Sequence, residues 1–162
     1  MNTMNTNTTT PADVELLAAL SAGDHEAARL AANRLPDGAG TPELVRECLA
    51  AGDHEAARLA AYRLPYGAGT PGLVRECFAA GALEAAWEAT AKLPDGVMTS
   101  HPSIGAHSVW SFAIEGERWL RVGCELHSAA EWVRDADEIF RRNGSPGLAD
   151  ETRALAERLI AD

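Results

Sequence analysis

Residues 24–52, DHEAARLAANRLPDGAGTPELVRECLAAG, are followed at once by residues 53–81, DHEAARLAAYRLPYGAGTPGLVRECFAAG. Only four positions differ: Asn33 stands against Tyr62, Asp37 against Tyr66, Glu43 against Gly72 and Leu49 against Phe78. From Ala82 a third, more diverged copy keeps Glu84, Ala85, Ala86, Ala89, Leu93, Pro94, Asp95 and Gly96 in register, so the period is 29 residues. A fixed period of about 20–50 residues marks supersecondary units that each leave an apolar face for a neighbour to cover. Such a period describes an architecture and names no activity.

The punctuation within the period is helical. Thr10-Pro11, Thr41-Pro42 and Thr70-Pro71 each pair a good N-cap with a proline at the first helical position, where the missing N–H would have no partner. Gly23, Gly52 and Gly81 end these helices, and Asp24 or Asp53 caps the next one. The second helices are predicted over His25–Leu35, His54–Leu64 and Leu83–Leu93, stopped by Pro36, Pro65 and Pro94. Leu44, Val45, Cys48 and Leu49 form an apolar stripe on one helix, and Ala28, Ala31, Ala32 and Leu35 form one on the other. Alanine-lined faces let helix axes come close.

After Met98 the composition changes: Trp110, Phe112, Trp119, Trp132 and Phe140 fall within 31 residues. Helices are predicted over Ser103–Ile114 and Glu117–Arg134, the second because Trp119, Val122, Leu126, Ala129, Ala130 and Val133 keep near-heptad spacing. The acidic run from Asp135 predicts a fresh helix start, Asn143-Gly144 its end, and Gly147–Ala161 a last amphipathic helix. The expected fold is therefore all-α: a right-handed array of three helical hairpins over residues 10–98, packed as one unit with an aromatic-rich helical cap over 99–162. The Asn/Thr-rich residues 1–9 read as a disordered tail without the apolar run of a signal peptide.

Composition narrows the function classes. The 46% apolar content is ample for a core, and the formal net charge is −10 with Lys92 the only lysine. Residues 11–98 carry 13 acidic and 7 basic side chains and residues 99–162 carry 11 and 7, so no basic face stands out. Binding to nucleic acid or to an anionic membrane is disfavoured, since both rest on Lys and Arg neutralising phosphates. No apolar run approaches the 18 or so residues of a membrane span. Three cysteines without framework spacing point to a reducing, cytoplasmic setting.

Several motifs invite a chemical reading and do not sustain it. Gly67-Ala68-Gly69-Thr70-Pro71-Gly72 satisfies G-x-G-x-x-G, yet an alanine-rich helix precedes it where a dinucleotide site needs a strand. These glycines read as a helix-to-helix turn. His25 and His54 are equivalent positions one packing distance apart, about 8–10 Å, too far to share a tetrahedral ion. Cys48 and Cys77 read as small core residues that stay unpaired. Cys124 and His127, taken as one helical turn apart, lack a third orienting group for nucleophilic catalysis. No catalytic residue, metal or cofactor is expected.

Arg29 and Arg58, Arg46 and Arg75, and Glu47 and Glu76 repeat one unit apart, reading either as a solvated face of ion pairs or as a partner-binding groove. Tyr62 and Tyr66 are two new rings in an otherwise near-identical copy, and tyrosine is enriched among interface hot spots. The candidate partner-binding residues are therefore Tyr62, Tyr66, Arg29, Arg58, Arg46 and Arg75.

The run Gly-Asp-His-Glu-Ala-Ala at 23–28 and 52–57, with a proline closing the second helix, resembles the second half of a tetratricopeptide-type repeat. The placement of Glu26, Ala31, Ala32 and Leu35 is similar to that in short HEAT-like repeats of the phycobilisome-lyase type. Either resemblance covers residues 11–96 and implies a helical solenoid that binds other proteins. The expected function is a noncatalytic adaptor or scaffold binding another protein. The alternatives are a self-associating structural subunit, or a small ligand-binding or enzymatic domain around Trp110, Trp119, His127 and Trp132.

Overall fold

The computed structural model describes residues 10–161, so the expected tail over 1–9 lies outside the described residues. The chain divides between Leu93 and Pro94 into two compact units.

Among the described residues the first unit contains six helices: α1 (Pro11–Ala22), α2 (His25–Arg34), α3 (Pro42–Ala50), α4 (His54–Tyr62), α5 (Pro71–Ala79) and α6 (Leu83–Ala91). Thr10, Thr41 and Thr70 cap α1, α3 and α5 as their side chains accept backbone N–H bonds, and Asp24 and Asp53 cap α2 and α4 in the same way. The second helices end one or two residues earlier than predicted, because the residue before a proline is pushed out of the α region. Leu35, for example, sits at ψ 129°. Helices α1 and α2, α3 and α4, and α5 and α6 pack as hairpins, and α2, α4 and α6 pack side by side. Leu16, Ala28, Ala32, Val45, Cys48, Ala57, Val74 and Cys77 are fully buried between them.

The turn glycines are required by close approach. Gly40 N–H donates to the Arg63 carbonyl at 2.9 Å, and Gly69 N–H donates to the Lys92 carbonyl at the same distance. A Cβ on Gly40 would lie 2.4 Å from the Ala60 carbonyl oxygen, and one on Gly69 would lie 2.5 Å from that of Ala89. The sequence fragment G-x-G-x-x-G is thus a connection laid against the end of a neighbouring helix, with α4 before it.

The second unit overturns the all-α expectation. It opens with a four-stranded antiparallel sheet in the order β1 (Thr99–Ile104), β2 (His107–Ile114), β3 (Glu117–Val122) and β4 (Glu125–Ser128). Helices α7 (Ala129–Arg142) and α8 (Ala149–Ala161), joined through a 3₁₀ turn at Pro146–Leu148, complete it. The predicted helices over 103–114 and 117–134 are therefore strands for most of their length, and a solenoid closed by a helical bundle is not the architecture of this chain.

Turn chemistry explains the correction. Ile114 pairs with Glu117 across Glu115-Gly116, whose φ values of 51° and 86° are those of a tight type I′ hairpin. Val122 pairs with Glu125 across Gly123-Cys124. Pro102 falls on the edge strand β1, where its missing N–H costs no central ladder bond. Along the sheet, Val109, Leu120 and Val122 face the core with Trp132, Ala136, Ile139 and Phe140 of α7. Trp132 is fully buried and donates its Nε1–H to the Leu120 carbonyl at 2.7 Å, so it is a core residue and not the wall of a ligand pocket.

The predicted break at Asp135 is absent. A capping box between Ser128 and Glu131 starts α7, and the helix runs through Asp135 with Asp137 and Glu138 on its exposed side. Its end at Asn143-Gly144 matches the sequence reading, and the final helix starts at Ala149, two residues later than predicted, after the 3₁₀ turn.

Candidate functional site

The chemistry of the first unit gathers where one hairpin meets the next. Asp53 opens α4 and accepts the Ala56 N–H at 3.0 Å. Its Oδ1 also accepts from Arg29 Nε at 3.1 Å, and its Oδ2 lies 3.0 Å from His25 Nδ1, both on α2. A helix cap is thereby also a clamp to the preceding hairpin. Asp53 is 1% exposed. Burial works against its ionisation, but the bonds from Ala56, Arg29 and His25 together outweigh it and hold the carboxyl below its ordinary value. Asp24, the equivalent in the first copy, is exposed and caps α2 through Ala27 at 3.0 Å.

The next junction lacks this clamp. Ala82 occupies the aspartate position, and α6 starts without a side-chain cap. Arg58, the equivalent of Arg29, turns instead to Glu55 of its own helix, with Nε at 2.8 Å and Nη2 at 2.7 Å from the two carboxylate oxygens. The same guanidinium lies 3.6 Å from Glu84 on α6. Hydrogen bonding across the pair lowers the Glu55 pKa and raises that of Arg58. Two further changes shape this junction: Trp87 stands where the earlier copies have Arg29 and Arg58, and Glu88 where they have Leu30 and Leu59. Glu55, Arg58, Glu84, Trp87 and Glu88 line a shallow groove of about 410 Å³ between α4 and α6 that is wide open to solvent.

The tyrosine substitutions belong to the same junction. Between the first two hairpins Arg63 pairs with Asp37 and donates from Nη2 to the Asn33 carbonyl at 3.2 Å. One period later Lys92 replaces Arg63, and Tyr62 and Tyr66 replace Asn33 and Asp37. Lys92 Nζ now sits 5.6 Å from the centre of the Tyr62 ring, and Arg63 Cζ sits 5.2 Å from it. A cation–π contact has taken the place of an ion pair. The residues remain largely in water, Tyr62 at 50% and Tyr66 at 67% exposure, with Trp87 at 52%.

Of the predicted arginines, Arg29 is bound to Asp53, Arg58 to Glu55, and Arg46 reaches Glu76 on α5 with Nε at 2.7 Å. Arg75 lies half-buried on α5, one period after Arg46. The repeated charges thus include ion pairs that run from one hairpin to the next. Tyr62, Tyr66 and Arg58 come onto the α4–α6 region, whereas Arg29 and Arg46 are held at the earlier junction and on the odd-numbered helices.

Cys48 and Cys77 are buried, and burial pushes their thiols up to about 12 and about 11. Cys124 is exposed at the β3–β4 turn, which corrects its expected placement one helical turn from His127. His127 Nε2 lies 3.0 Å from Glu125 Oε2, and its ring meets Trp132 edge-on at 5.1 Å.

Sequence reasoning passed over Glu84, Trp87 and Glu88 as site residues. Their signal was available: they occupy the positions of the third copy that line up with Glu26/Glu55, Arg29/Arg58 and Leu30/Leu59. Among the described residues no helix is long and apolar enough to cross a membrane. No protein-family model, curated protein or solved structure matches this chain, so the tetratricopeptide-type and HEAT-like likenesses have no support beyond the residues that suggested them.

Proposed function

We propose that this chain is a noncatalytic protein-interaction module whose binding surface lies on the second and third hairpins. The observation that carries this reading is the exposure of Tyr62, Tyr66 and Trp87 at positions where the duplicated copies have polar or charged residues. Each of these rings keeps half or more of its surface open to water, and tyrosine and tryptophan are enriched among interface hot spots that contribute about 2 kcal/mol or more each. The test is capture of binding proteins by the immobilised full chain, compared with Tyr62→Asn, Tyr66→Asp and Trp87→Ala. Loss of a specific partner with a melting temperature within about 2 °C of wild type supports the reading. Capture that survives all three substitutions rejects it.

A second reading, self-association as a structural subunit, is favoured by Val14 and Leu17 on α1 and Leu30 on α2, all exposed on the first hairpin. Light scattering across a hundredfold concentration range decides it, since a strict monomer throughout excludes a self-assembling subunit.

A further inference from the structure

The groove between α4 and α6 holds a cation belonging to the chain itself. Arg58 occupies it because its partner by duplication, an aspartate at the position of Ala82, is missing. The Arg58 guanidinium lies side-on against the Glu55 carboxylate at 2.7 and 2.8 Å, the fork geometry by which arginine recognises a carboxylate. One guanidinium does not balance the lining. Glu84 reaches it only at 3.6 Å with its side chain 80% exposed, and Glu88 adds a further carboxylate where both earlier copies carry leucine. The five lining residues therefore bear three negative charges against one positive, on a chain of net charge −10. Beside them the exposed Trp87 indole supplies an apolar wall of the type that favours guanidinium and ammonium groups.

We infer that the occupant of this groove is a basic, arginine-bearing segment of a partner protein, whose guanidinium binds Glu84 and Glu88 beside Trp87 and competes with Arg58 for Glu55. Charge complementarity selects this occupant: an acidic or neutral segment would leave two carboxylates uncompensated, and the field of the chain steers cations toward it. The inference rests on the interaction-module reading and adds the chemistry of the partner to it.

The probe is a synthetic 12-residue peptide alternating arginine and serine, with a citrulline-for-arginine version as its neutral control. Binding to the full chain is followed by NMR of the tryptophan indole N–H signals, with Trp87 assigned through Trp87→Phe. The arginine peptide is expected to shift the Trp87 signal in preference to those of Trp110, Trp119 and Trp132, and the citrulline peptide to leave it in place. Glu84→Gln with Glu88→Gln should weaken binding about fivefold or more, and Arg58→Gln should tighten it about threefold by removing the competitor. A Trp87 signal that does not move, equal binding of the citrulline peptide, or affinity unchanged by the two glutamate substitutions would overturn the inference. If the arginine peptide fails while partner capture still depends on Tyr62 and Tyr66, the basic occupant is refuted and the interaction module stands. Loss of both refutes the module itself.

Discussion

Replacing Asp53 with alanine removes more than a helix cap, and the duplication supplies its own control in Asp24. Both aspartates accept an N–H in the first turn of the helix they start, from Ala56 and Ala27, each at 3.0 Å. Only Asp53 is buried, and it alone of the two receives Arg29 and His25 from the hairpin before. The cap is worth about 1 kcal/mol. Two charge-assisted bonds from half-exposed partners add about 0.5–1 kcal/mol each. Asp53→Ala should therefore cost about 2–3 kcal/mol and Asp24→Ala about 0.5–1 kcal/mol. At about 2–4 °C per kcal/mol for a chain of this size, the melting temperature should fall by about 4–12 °C in the first case and about 1–4 °C in the second. Differential scanning calorimetry at neutral pH measures both. The pH dependence follows from the lowered Asp53 pKa: its contribution is present above the unfolded-state value of 3.8 and is lost as pH falls through the folded-state value. The gap between wild type and Asp53→Ala should thus persist down to about pH 5 and begin to narrow below about pH 4, continuing to narrow as the pH falls further. Equal losses for the two aspartates, or a gap that widens in acid, would refute the clamp.

Leu44→Ala and Leu73→Ala, at equivalent buried positions, should each cost about 2–4 kcal/mol in urea titrations. Gly69→Ala should be far more damaging than Gly67→Ala, since only the former drives a Cβ to 2.5 Å from the Ala89 carbonyl; thermal melts of the two variants compare them directly. In thiol titration of the folded protein Cys124 should react at once, while Cys48 and Cys77, buried and pushed to about 12 and about 11, should react only after denaturant is added. Glu115→Gly should stabilise the β2–β3 hairpin by about 0.5–1 kcal/mol, because Glu115 holds φ 51° in a turn that glycine enters freely.

The first unit was legible because nearly every boundary carries local chemistry: a threonine cap with proline behind it, a left-handed glycine, a capping aspartate, a closing proline; only the start of α6, at Ala82, lacks a side-chain cap. The second was misread because residues 119–133 satisfy a helical period over Trp119, Val122, Leu126 and Val133, which hid the hairpin turns at Glu115-Gly116 and Gly123-Cys124. Giving those glycine turns precedence over the apolar spacing would have exposed the sheet, and Ser128 three residues before Glu131 would have placed the start of α7. The candidate surface was half visible. Tyr62 and Tyr66 stood out as changes between near-identical copies, whereas Glu88 and Trp87 lie in the diverged third copy, where a difference attracts less notice. The inter-hairpin role of Asp53 was not readable, since its capping role is shared with Asp24 and only packing buries one and exposes the other.

Hydrogen–deuterium exchange of the full chain, alone and bound to a captured partner, tests the interaction surface most directly. Protection is expected in peptides covering residues 54–69 and 83–92, which contain Glu55, Arg58, Tyr62, Tyr66, Glu84, Trp87 and Glu88. Protection confined to the sheet at residues 99–128, or to the first hairpin, would contradict it.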